Sequence, residues 1–222
     1  MLAIPSLAQG DFVTVLHRAL IPPVGAQRPA RPRTLRRGVI VDELGNGRVE
    51  MFALDTSEQA LYALCRDLFE HCWQELVFGI LIQGAAWEIR APGAPQRIGL
   101  LDGYLTVDFG VWHFHICIGA HQGTRKAPTP PELARIRRTS RAELYRLLDA
   151  ADAPMTWGLR LFNGNGEQQM NVFFPNPFLT GAGKITKMPD WNRLAVWDRV
   201  RKNALGLAPD ARDRSSKGFW HP

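Results

Sequence analysis

Between Phe78 and Gly119 the chain carries four short extended runs, FGILIQG, AAWEIRAP, RIGLLDGYLTVDF and VWHFHICIG, separated by glycine and proline. A parallel pairing needs a crossover of about a dozen residues or more, and none of these gaps holds one. The segment therefore predicts an antiparallel meander. Two further stretches extend the pattern. RGVIVDELGNGRVEMFAL places apolar runs on either side of Gly45-Asn46-Gly47, a hairpin signal. In TWGLRLFNGNGEQQMNVFF a turn at Asn165-Gly166 pairs Leu161 with Met170, Leu159 with Val172 and Trp157 with Phe174, so every apolar residue finds an apolar partner.

Helical periodicity is clearest in DTSEQALYALCRDLFEHCWQEL, where Ser57 or Thr56 can cap and Leu61, Leu64, Cys65, Leu68, Cys72 and Leu76 form one stripe. PPELARIRRTSRAELYRLLDAAD reads as a second helix opening on Pro130 and Pro131, with a break around Thr139-Ser140. DWNRLAVWDRVRKNALG reads as a third, from Asp190 to Gly206, and DFVTVLHRAL as a short N-terminal helix capped by Asp11. These elements predict one α+β domain over residues 1–222: a mostly antiparallel twisted sheet of about seven to nine strands with three or four helices on one face. A Pro/Arg-rich loop at about 22–37 and a loosely held tail at about 207–222 flank it.

The composition narrows the class. With 45% hydrophobic residues, seven Trp and eleven Phe, the chain has apolar area enough to fold without a structural metal or disulfide. Its net charge of +6 permits an anionic partner, but Arg28, Arg31, Arg33, Arg36 and Arg37 concentrate the excess in one proline-rich loop. No zinc-finger spacing, RNP-like strand or helix-turn-helix is present, which argues against nucleic acid. Three cysteines without a disulfide pattern suit a reducing compartment, and no apolar run approaches the roughly 20 residues of a membrane span, so the expectation is a cytoplasmic protein. Phe219 and Trp220 could dock on a neighbouring subunit of a homo-oligomer.

Chemistry concentrates in VWHFHICIGAH, which holds three of the six histidines and one of the three cysteines. A tight turn at Phe109-Gly110 would pair Val107 with Trp112, Leu105 with Phe114, Gly103 with Ile116 and Leu101 with Ile118 on the core face. Alternation then gathers Asp102, Tyr104, Thr106 and Asp108 on the opposite face with His113, His115 and Cys117. Strand positions two apart lie about 6.6 Å from each other, so His113 and His115 can converge on one ion. His113 and Cys117 are about 13 Å apart and cannot share it. His121, beyond Gly119, supplies the third nitrogen in this reading.

The expectation is a metal-dependent enzyme acting on a small molecule, with His113, His115 and His121 on a divalent ion, Fe or Zn, that keeps an open position. Asp102, Tyr104, Asp108 and Cys117 are the candidate acid/base or orienting groups, and Arg160 and Asn171 would contact a polar substrate if their hairpin lies beside the histidine strand. His-x-His strands recur in cupins, α-type carbonic anhydrases and amidohydrolases, whose downstream patterns are absent here, so the motif supports the geometry without identifying a family. Two rival readings are a haem or tetrapyrrole binder with a histidine axial ligand and a scaffold whose arginine loop docks an acidic partner.

Overall fold

The computed structural model of the protein describes residues 38–82 and 84–219. The helix expected after Asp11 and the arginine loop at 22–37 lie outside the described residues. The described residues begin with the hairpin of β1 (Val39–Glu43) and β2 (Gly47–Ala53), with Val41 opposite Val49. Helix α1 (Glu58–His71) follows. Ser57 caps it through a side-chain oxygen that accepts the Ala60 N–H at 3.3 Å, as the S-x-x pattern implies.

Next come β3 (Val77–Gly79), β4 (Leu81–Ile82) and β5 (Ala85–Ala86), then β6 (Arg97–Leu101), β7 (Tyr104–Asp108) and β8 (His113–Cys117). The small pair β9 (Gly123–Thr124) and β10 (Ala127–Pro128) leads into α2 (Pro131–Arg137). Three long strands, β11 (Arg141–Leu148), β12 (Pro154–Phe162) and β13 (Gln168–Phe173), precede α3 (Ala195–Leu205), the last α-helix among the described residues.

The fold is mixed α and β with antiparallel pairing throughout the named strands, but the strands do not form one sheet. Among the described residues they divide into a six-stranded sheet, β1-β2-β11-β12-β13-β3, a three-stranded sheet, β6-β7-β8, and two short pairs. One apolar core joins the two larger sheets. Leu144, Leu159, Leu161 and Val172 of the large sheet meet Leu105, Val107 and Ile116 of the small one, with Leu61, Leu68 and Phe69 of α1 and Val196, Trp197 and Val200 of α3.

β11 corrects the reading of residues 141–148 as helix. Ala142 and Leu144 enter the main core, while Tyr145 and Leu147 join a smaller cluster on the other face with Val49 and Met51. A strand buried on both faces loses the polar and apolar alternation that would mark it, and its Ala, Glu, Leu and Arg favour helix locally. The break at Thr139-Ser140 is real: α2 ends just before it.

The hairpin of β12 and β13 has the expected register, with Leu161 opposite Met170, Arg160 opposite Asn171 and Leu159 opposite Val172. Its turn is wider than two residues, because a bulge after Leu161 pairs Phe162 with Gln168 and the Asn163 side chain accepts the Asn165 and Glu167 N–H groups.

Residues 207–219, the described part of the segment expected to be loosely held, are tied to the core through Asp213. Asp213 is fully buried, accepting Arg146 Nη1 at 2.6 Å and Trp157 Nε1 at 2.7 Å on one oxygen and Trp197 Nε1 at 2.8 Å on the other. Arg146 also donates to Glu50 at 2.8 Å and to Asp210 at 3.1 Å. One carboxylate thus ties the late segment to β11, β12 and α3 at once.

Candidate functional site

The histidine strand keeps its predicted faces but shifts its register by two. His113 lies opposite Asp108, His115 opposite Thr106 and Cys117 opposite Tyr104. The loop of residues 109–112 replaces the tight turn because Phe109 is a core residue, stacked on Phe78 at 6.2 Å and 4.5 Å from Trp112. A shift of two leaves every side chain on its original face. Hence Thr106, Asp108, His113 and His115 share one side of the small sheet.

That side is open. His113 and His115 are exposed, with ring centroids 4.9 Å apart, and Thr106 Oγ1 sits 2.7 Å from His115 Nδ1. Asp108 accepts the Gly110 N–H at 2.8 Å and so shapes the loop. Cys117 is buried, its Sγ 3.6 Å from the Gly119 carbonyl, and burial pushes both its thiol and the neighbouring Tyr104 hydroxyl up. A thiol held protonated is a weaker nucleophile than a thiolate. Among the described residues no three His, Cys, Asp or Glu side chains converge as metal ligands.

Asp102 and His121 have moved away from this strand. The run expected to be continuous from Leu101 turns at Asp102-Gly103, both with positive φ (48° and 78°), and Leu101 becomes exposed instead of facing Ile118. Positive φ at two successive residues is the signature of a tight hairpin turn. The turn aims the Asp102 carboxylate at the segment after β8, where it accepts the Gln122 N–H at 2.7 Å and the Gly123 N–H at 2.9 Å. Its Oδ2 also lies 2.8 Å from His121 Nδ1. The Gln122 N–H above all, then the Gly123 N–H and His121, hold the Asp102 carboxyl below its ordinary value despite some desolvation. The Tyr104 ring meets the imidazole edge to face at 5.0 Å. His121 is therefore fixed as a carboxylate-oriented imidazole rather than gathered with His113 and His115.

His121 lines an open cavity of about 470 Å³ with Thr56, Arg135, Arg138, Thr139 and Ser140. Thr139 Oγ1 lies 3.0 Å from the Cys117 carbonyl and 2.8 Å from Gln169 Oε1, so the β8 end, the α2 end and β13 are laced together at the cavity wall. Gly119 stands beside it because the Glu58 carboxylate occupies the space where a Cβ would project. Sequence reasoning missed Thr56, Arg135, Arg138, Thr139 and Ser140 as site residues. The break between α2 and β11 was the one available signal, since a helix end beside a strand start leaves side chains free to line a cleft.

Arg160 and Asn171 form a second polar centre, apart from the histidines. Both are buried on the large-sheet face that points away from the main core, as directly opposed neighbours on β12 and β13. Arg160 donates to both oxygens of Glu43 at 2.9 Å and to Glu143 at 2.6 Å, and stacks 4.6 Å above the Tyr145 ring. Burial alone would raise the Glu43 carboxyl, but the bonds and charge of Arg160 hold it below its ordinary value. Three strand spacings, about 14 Å, separate β1 from β12 in a flat sheet, so this contact requires the β1–β2 hairpin to curl over the face. Tyr145 donates to Asn171 Oδ1 at 2.9 Å, while Arg160 Nε and Asn171 Nδ2 have no acceptor among the described residues. The expected grouping of Arg160 and Asn171 with the histidine strand does not form, because β8 belongs to the other sheet.

Among the described residues no helix is long and apolar enough to cross a membrane. No curated protein matches the sequence. A family profile matches residues 38–206, from the residue before β1 to the glycine that caps α3, and so takes in both larger sheets, the Asp102–His121 pair and the cavity. The chain belongs to that family, DUF7676, a family of unknown function.

Proposed function

We propose that the protein is an enzyme acting on a small molecule and that His121, oriented by Asp102, is its acid/base group. The observation that carries this reading is the 2.8 Å contact between His121 Nδ1 and an Asp102 carboxylate that two backbone N–H groups hold in place, at the wall of the cavity. An imidazole that donates from Nδ1 to a carboxylate presents the lone pair of Nε2 and is stabilised once it takes a proton. This is the orienter and base half of a triad, with the substrate or a water supplying the atom to be deprotonated.

The test is turnover of p-nitrophenyl esters and p-nitrophenyl phosphates by the full chain and by His121→Gln. Loss of His121 should lower kcat about a hundredfold or more. Turnover that ignores the substitution, or none on either substrate class, would overturn the proposal.

A second reading places a divalent ion, Zn or Fe, on His113 and His115. Its support is the 4.9 Å separation of the two rings on one face, with the Thr106 hydroxyl at His115 Nδ1 leaving Nε2 for a metal. Elemental analysis of the chain and of His113→Ala/His115→Ala tests it: one ion per chain lost in the double variant is the expected result, and equal metal content in both discards it.

A further inference from the structure

We infer that the cavity beside His121 takes a substrate bearing one oxyanion group, a carboxylate or a phosphate ester, which Arg138 holds. The inference rests on the proposed function for the site and adds the class of molecule that enters it. Of the two guanidinium groups on the cavity wall, Arg135 is already committed. Its Nε and Nη2 donate to the two oxygens of Glu132 at 2.9 and 2.7 Å, and its Nη1 donates to the Gly164 carbonyl at 2.9 Å. Arg138, one turn further on, has no ion pair or side-chain hydrogen bond among the described residues, although it lines the same cavity. A planar guanidinium with its donors unused matches the two oxygens of a carboxylate or phosphate.

The surrounding groups set the charge the cavity can accept. Thr56 stands at the N-terminal end of the 14-residue α1, which contributes partial positive charge, and its hydroxyl has no partner among the described residues. Against these stand Glu58, folded onto Gly119, Asp55, which accepts the Ser57 N–H, and Asp102 behind His121. Glu132 is neutralised by Arg135. Among the described residues Arg138 is the one uncommitted cation on the cavity wall itself, with Arg137 acting on Tyr104 and Cys117 behind it, and this balance against the carboxylates suits a small anion of low charge and disfavours a polyanion. The volume, about 470 Å³, is that of a pocket for a small metabolite. Anchoring one end of such a molecule on Arg138 would fix the distance of its other end from His121 Nε2, which is how a binding contact assists proton transfer.

The experiment titrates inorganic phosphate and, separately, acetate into the full chain, following the His121 ring protons and the Arg138 side-chain N–H by NMR. The expected result is one saturable site that shifts both signals, with affinity at least about tenfold weaker in Arg138→Gln. Arg66→Gln removes an equal charge from the exposed outer side of α1 and should leave binding unchanged. The arm that saturates at lower concentration names the group. Absence of saturation by either anion, or equal binding by wild type and Arg138→Gln, overturns the inference. Turnover and binding by the wild type separate the two proposals: anion binding without any turnover defeats the acid/base reading alone, and turnover of neutral esters without anion binding defeats the oxyanion inference alone.

Discussion

His121 and Asp102 are 19 residues apart and meet only because a tight turn at Asp102-Gly103 reverses the chain. Asp102→Asn tolerates the positive φ of that turn but removes the charge and one of the two acceptor oxygens that hold Gln122, Gly123 and His121, so the imidazole loses its orientation and kcat should fall while Arg138 still binds the anion. A second consequence is a pH effect with a definite sign. The Asp102 carboxyl is held below its ordinary value by the Gln122 N–H first, so the loop it organises is fully secured above about pH 4 and released as pH falls through the lowered value. Amide shifts of Gln122 and Gly123 should follow that titration, and should be flat with pH in Asp102→Asn. Cys65 gives a third expectation at this scale. Burial pushes its thiol up to about 12, so it should resist thiol reagents at pH 8 until the protein is unfolded in urea. In the sequence, alternation was enough to sort Thr106, Asp108, His113 and His115 onto one face, because a register error of two preserves faces. It could not show that Phe109 would plug the core, that Asp102 would leave the strand, or that His121 would turn to Asp102, since each depends on a contact between elements.

At the scale of elements, the β1–β2 hairpin and the sheet beneath it are joined through Glu43 and Arg160. The bonds and charge of Arg160 outweigh burial and depress the Glu43 carboxyl, so the stabilisation is complete above its ordinary value of about 4.5 and disappears as pH drops through the lowered one. Protection factors of the β1 amides should therefore fall in acid before those of β11 do, and Glu43→Gln should remove the difference. Gly158 serves the same face. A Cβ there would come within 2.6 Å of the Val172 carbonyl and 2.7 Å of the Tyr145 ring, so Gly158→Ala should cost about 1–3 kcal/mol by urea titration. The strands bounded by glycine and the helix capped by Ser57 were readable because turn and cap chemistry is local. β11 was not, because its second buried face exists only once the hairpin has curled over it.

For the whole molecule, the decisive contact is the one made by Asp213. Replacing it with Ala leaves Arg146 buried beside fewer charges and strands two indole N–H groups, and should lower stability by about 3–5 kcal/mol in urea melts. Nothing in the local sequence ARDR announces this role, since a carboxylate among arginines reads as solvent-exposed charge. Arg146, Trp157 and Trp197 all precede in the chain the acid that all three bind, so these buried donors gain their shared acceptor only when the late segment docks. The late segment is a clasp on the packed sheet, and a chain cut before Asp213 should be digested by protease faster than the full chain.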